Sequence, residues 1–182
     1  MANKKEKMTT PALVLVCICL ITTLALAGVH AVAQPTIDAN EQKAADEARM
    51  EVLPEGDSFT PYSGQLADGV VEAYMADNKA GMAVTAESKG FGGAVTVMVG
   101  IDAKGAITGV KVTKHNETPG LGTKAADPGY LERYKGVTEA VGAHINDDAN
   151  IDAVTGATIT SYAVYGCVVK ALAQYKECGG VT

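Results

Sequence analysis

The sequence predicts an α+β domain, an antiparallel sheet with packed helices, behind a single N-terminal transmembrane helix. Three observations carry this prediction. Residues 8–37 contain no Asp, Glu, Lys or Arg. Beyond residue 81, strand-like segments follow one another before one long apolar helix, with few strand–helix–strand alternations. Fifteen of the 20 glycines lie beyond residue 89, so that part needs many tight turns and close backbone approaches.

Composition limits the reading further. The 182 residues suffice for one domain with an appendage. With 47% hydrophobic and 20% charged residues, the chain is not of the disordered class. An excess of 21 acidic over 15 basic residues excludes a general nucleic-acid binder, which needs clustered cations. The charge is divided unevenly. Residues 1–34 hold Lys4, Lys5, Lys7 and Glu6, a net +2, whereas the other 12 basic and 20 acidic residues net −8.

The elements follow in order. Residues 1–10 form a basic tail, expected to remain in the cytoplasm. Residues 11–33 (PALVLVCICLITTLALAGVHAVA) are a membrane helix: 23 residues at 1.5 Å each give about 34 Å, against about 30 Å of hydrocarbon. The small-x-small triplet Ala31-Val32-Ala33 leaves a cleaved signal peptide as the alternative, although the apolar run is long for one. A mature N-terminus at Gln34 would decide for cleavage. Either way, the Lys cluster stays inside and the acidic part is exported, a single-pass cell-membrane topology in the uncleaved form.

Residues 34–81 are expected to be a juxtamembrane helix and linker. Residues 37–53 read as a separate stalk helix, with Asp38 as its cap, Glu41 in capping-box register and Pro54 as its stop. The stretch 54–81 mixes turn residues with short apolar pieces and gives no clear element. Residues 82–182 form the main domain. Residues 82–88 alternate loosely. Residues 94–101, with Val95, Val97 and Val99 on one face, pair with 107–113 across an Asp102-Ala103-Lys104-Gly105 turn to make a β-hairpin. A short helix is expected at 130–134, a short strand at 151–154 and a long helix at 161–176. Cys167 and Cys178 would stand about 16 Å apart along that helix, too far for a disulfide. Two free thiols outside the membrane point to an anaerobic source, which a thiol titration tests. Cys17 and Cys19 read as packing residues of the membrane segment.

Two motifs carry chemistry. Asp152 to Ser161 (DAVTGATITS) is a strand end, a glycine turn and a run of hydroxyls opening the last helix. One hydroxyl would cap the helix. The same positive helix end also suits a phosphate. No P-loop Lys follows, which disfavours nucleoside triphosphates. The second motif, His115-Asn116-Glu117-Thr118-Pro119-Gly120-Leu121-Gly122, is a Pro-Gly loop whose His115 and Glu117 lack a third partner at metal spacing. No metal site and no catalytic acid, base or nucleophile is expected; Ser161 and His144 qualify by residue type alone.

Both motifs resemble one family. D-x-x-[ST]-G-A-T, here Asp152 to Thr158, resembles the flavinylation motif of the FMN-binding subunits RnfG and NqrC, from the Rnf and Na⁺-translocating NADH:quinone oxidoreductase complexes. HNETPGLG matches the H-x-E-T-P-G-L-G signature of the same subunits. GFGGAVTVMVGID, ITGVKV and VLPEGDSF are similar to their flanking segments. The likeness runs from the anchor to about residue 176, and the compact length favours the Rnf type by analogy.

The resemblance implies that residues 82–182 are an FMN-binding domain with FMN held covalently, its phosphate esterified to the hydroxyl of Thr158. A separate flavin transferase, using FAD and Mg²⁺, would make that bond. It further implies Glu117, Thr118 and Leu121 as flavin neighbours, Gly156 and Ala157 as close backbone approaches, and Thr155 and Thr160 as caps or phosphate donors. The expected function is electron transfer in an ion-translocating ferredoxin:NAD⁺ oxidoreductase, with the other Rnf subunits as partners and the flavin domain on the outer side. A standalone flavoprotein serving another redox chain stays open, as does a flavin-free binding domain whose TGATITS is only a helix cap.

Overall fold

The computed structural model describes residues 2–140, 145–148 and 151–180, which divide into two compact units, Met1–Ala45 and Asp46–Thr182. The first unit lies within helix α1 (Ala2–Val52). Along residues 11–32 every side chain of α1 is exposed, and the helix is long and apolar enough to cross a membrane. Its hydroxyls are satisfied internally: Thr22 donates to the Ile18 carbonyl at 2.9 Å and Thr23 to that of Cys19 at 2.7 Å. Such back-bonding is what a helix in an apolar medium requires.

The separate stalk helix expected at 37–53 does not exist. α1 runs through Pro35 without a break, so no new helix start needs capping. Asp38 instead accepts a hydrogen bond from Gln34 Nε2 at 2.7 Å, one turn back. The helix does end before Pro54, as Pro demands of its preceding residue.

The second unit is built on a five-stranded antiparallel meander. β1 (Phe59–Pro61), β2 (Val70–Ala76), β3 (Gly81–Lys89), β4 (Ala94–Asp102) and β5 (Ile107–Lys114) lie side by side in chain order. The β4–β5 hairpin pairs as its alternation predicts, Val97 opposite Val112 and Val99 opposite Val110. The stretch 54–81 is not a linker: it supplies β1 and β2, and a boundary at residue 82 would sever β3 from strands it pairs with. A register shift between Val70 and Glu72 breaks the alternation of β2, which hid it in the sequence. No ladder forms at 151–154. Ile151 is buried, but the Val154 N–H turns to Ser161 Oγ at 3.0 Å rather than to a neighbouring strand. Beyond the sheet, α2 (Pro128–Leu131) is capped by Asp127 and runs into a short 3₁₀ turn ending at Tyr134, in place of the helix expected at 130–134.

Helix α3 (Thr158–Glu177) lies across one face of the sheet and starts three residues earlier than expected. Ala163, Val164, Cys167, Val168, Ala171 and Leu172 recur at helical spacing and bury against Val84, Val95, Val97, Val99 and Ile101. The opposite face is covered by the last turns of α1, where Ala48 and Val52 meet Ala83 and Met98. Gly100 permits that approach, since a Cβ there would strike the Val52 carbonyl. With both faces covered, β3 is buried along most of its length, which explains the blurred alternation of residues 82–88. All four cysteines are free: Cys167 sits inside α3 and Cys178 just past its end.

Candidate functional site

Three segments meet beside the start of α3: the turn at 90–93 between β3 and β4, the loop 115–122 after β5, and the approach 155–160 to the helix. Between them lies a cavity of about 280 Å³. Of the eight residues expected at a site, seven line it: Glu117, Thr118, Leu121, Gly156, Ala157, Thr158 and Thr160. Thr155 is exposed and stands outside its wall. Phe91, Gly122 and Ile159 complete the lining and were not foreseen.

The helix entry is shaped by backbone more than by hydroxyls. Gly156 has φ +83°, a left-handed turn that favours Gly. The N-cap is Ala157, and no side chain caps the helix. The hydroxyl cap weighed from the sequence is therefore absent, and the hydroxyls have other uses. Ser161 is fully buried, donates to the Ala157 carbonyl and accepts from Val154, so it is no exposed nucleophile. Thr160 is buried and donates to Glu117 Oε2 at 2.9 Å instead of facing a ligand. Thr158 alone combines exposure, a cavity position and the first helical residue. An uncapped helix start leaves its leading N–H groups and the positive dipole end for an anion.

The acid of the loop is inward. Glu117 is only 6% exposed, and its Oε1 accepts from the Gly92 N–H at 3.1 Å. Its own N–H points to His115 Nδ1 at 3.3 Å. It takes part in no ion pair among the described residues. The cavity rim is apolar and open to solvent: Phe91 is 73% exposed, Ile159 50% and Leu121 49%. Large apolar groups left this exposed around a cleft mark a binding surface. A lone aromatic among glycines at 90–93 was the available sequence signal for Phe91, but its use depends on where the turn folds. Among the described residues, no group of three or more His, Cys, Asp or Glu side chains is arranged for a metal. His144 lies outside the described residues.

Residues 90–173 match the FMN-binding domain family, and residues 1–52 match the RnfG N-terminal region. The chain is 30% identical over 173 residues to the G subunit of the ion-translocating oxidoreductase complex of Methanosarcina acetivorans, covering 90% of this chain and 92% of that one. It is 30% identical over 187 residues to the G subunit of the Na⁺-translocating ferredoxin:NAD⁺ oxidoreductase complex of Acetobacterium woodii, with 91% and 90% covered. The G subunit of the proton-translocating ferredoxin:NAD⁺ oxidoreductase complex of Clostridium ljungdahlii is 29% identical over 159 residues, with 86% and 85% covered. Among solved structures, the NqrC-type component of the Na⁺-translocating NADH-quinone reductase of Parabacteroides distasonis aligns with a TM-score of 0.44 at 22% identity, covering 59% of this chain and 60% of that one. With its relatives matched along nearly its whole length, the chain belongs to the RnfG family, the G subunits of the ion-translocating oxidoreductase complexes.

Proposed function

We propose that this protein carries FMN as a phosphoester on Thr158 and passes electrons within a membrane-bound Rnf complex, between ferredoxin and NAD⁺, from the extracytoplasmic side. The single observation that carries this reading is an exposed threonine hydroxyl on the uncapped first turn of α3, opening onto a cavity with an apolar rim. The residues fit the group. An anionic phosphodiester at Thr158 matches the positive helix end. Phe91, Leu121 and Ile159 offer apolar surface to a flavin ring. The cavity's 280 Å³ sits at the low end of the about 300–1,000 Å³ typical of ligand pockets, which suits a ring left partly open to redox partners. Once bound, FMN supplies one- and two-electron chemistry, and the chain holds it in place.

Loading by a flavin transferase balances without any acid or base from this chain. The Thr158 oxygen attacks the riboflavin-side phosphorus of FAD, the pyrophosphate bridge breaks, AMP leaves and the hydroxyl proton passes to the transferase or solvent. Orientation follows from charge: the +2 end is retained inside and the −8 remainder is exported. The uncharged span at 8–37 supports ion passage through other subunits of the complex.

The test is Thr158→Ala, coexpressed with a flavin transferase. In-gel flavin fluorescence of the denatured protein, and the FMN mass on the 152–160 peptide, are expected in the wild type and absent from the variant. Fluorescence retained by the denatured variant overturns the assignment.

A further inference from the structure

Glu117 is the feature the flavin assignment leaves unused. A carboxylate that is 6% exposed is costly to keep unless donors satisfy it. Its two donors both come from other segments: the Gly92 N–H of the β3–β4 turn and the Thr160 hydroxyl in the first turn of α3. Space is reserved for it as well. A Cβ on Gly122 would come within 2.6 Å of Oε2, and one on Gly90 would collide with Oε1. One side chain thus joins all three walls of the cavity.

The join also fixes a rotation. Residues two apart on an α-helix are separated by about 200° around its axis. Holding Thr160 inward on Glu117 therefore turns Thr158 outward to the open cavity. The same carboxylate holds the turn that presents Phe91 on the opposite rim.

We propose that Glu117 is a positioning residue for flavin attachment: by accepting from Gly92 and Thr160 together, it sets the rotation of the first turn of α3 and so aims the Thr158 hydroxyl. Its geometry matters and its charge does not. The proposal rests on Thr158 as the flavin acceptor.

The experiment compares Glu117→Gln, Glu117→Ala, Thr160→Ser and Thr160→Val in the full-length protein. Two readouts are taken: the initial rate of covalent flavin incorporation with FAD, Mg²⁺ and a flavin transferase, and the hydrogen-exchange rate of the Gly92 amide. Gln keeps an acceptor for Gly92 and can donate to Thr160 Oγ1, so Glu117→Gln and Thr160→Ser are expected to load near the wild-type rate. Glu117→Ala and Thr160→Val are expected to load at about one-tenth of that rate or less, because small misplacements of a reacting atom are costly. The double variant Glu117→Ala/Thr160→Val is expected to be no slower than Glu117→Ala, since both break one unit. Gly92 exchange is expected to rise about tenfold in Glu117→Ala alone among the Glu117 variants, as its acceptor is lost.

Loading of Thr160→Val at the wild-type rate overturns the proposal, and this near-isosteric variant carries the test should Glu117→Ala fail to fold. Equal loss in Glu117→Gln and Glu117→Ala, with Gly92 exchange unchanged in Gln, also overturns it, because the charge would then be what counts. A wild-type protein that takes up no flavin refutes the acceptor reading instead; Gly92 exchange in the unmodified chain still shows whether the clamp exists.

Discussion

The two faces of the sheet are held in different ways. On the α3 face the contact is broad and apolar, with Val97, Val99, Ile101, Val164, Val168 and Ala171 fully or almost fully buried. On the other face the apolar cluster is small, Ala48, Val52, Ala83 and Met98, and polar ties surround it. Arg49 is buried, stacks 3.6 Å above the centre of the Tyr74 ring and pairs with Asp46 and Glu72. Thr108 donates to the Val52 carbonyl, and Lys111 meets Glu51. The broad core makes the fold and positions the site. The smaller face fastens the end of α1, and no cavity residue belongs to it.

The largest effect is expected on the α3 face. Val97→Asp would bury a carboxylate with no partner, at a cost of several kcal/mol against a total stability of roughly 5–15 kcal/mol. Loss of the cooperative thermal transition is expected. Cys167 gives a second readout: burial pushes its thiol up to about 12, so at neutral pH it is a shielded thiol in the folded protein. Mass mapping after maleimide treatment should find Cys167 unlabelled in the wild type and labelled in Val97→Asp.

A middle effect is expected on the α1 face. Arg49→Ala removes the ring contact and the ion pairs, and should cost about 1–2 kcal/mol. The lost stability should show in a urea titration, while covalent flavin loading stays at the wild-type level. Loading that falls in step with stability would erase the distinction between the faces.

The smallest effect concerns the sheet edge. Hydrogen bonds from Thr60 and then Ser58 hold the Asp77 carboxyl below the usual carboxylate range. A lowered folded-state value contributes stability above the unfolded-state value, and that contribution is lost as pH falls through the folded one. Amide exchange in β1 should therefore quicken on acidification below about pH 4, the ordinary Asp value. Asp77→Asn should weaken that pH dependence without disturbing flavin loading.

What was legible in the sequence depended on how many constraints a segment obeyed. The β4–β5 hairpin has one buried pattern and an Asp-Ala-Lys-Gly turn, and it read correctly. β3 serves two covered faces and β2 carries a bulge, so their patterns were muddied. At the site, Thr158 and Glu117 were visible as parts of motifs, but the direction of their side chains was not. Thr160 was expected to face a phosphate and instead faces Glu117, a residue 43 positions away whose approach only the fold reveals. Phe91 was invisible for a related reason: an exposed aromatic gains meaning only from what surrounds it.

The meander has one more consequence, and it concerns order in time. Each strand pairs with its chain neighbours, so the sheet can close early through local contacts. α3 follows the sheet in the chain, and the cavity needs residues from both. A transferase therefore meets no finished acceptor on a nascent or half-folded chain, however intact the T-G-A-T motif is. Assembly of the fold acts as a checkpoint that precedes the cofactor.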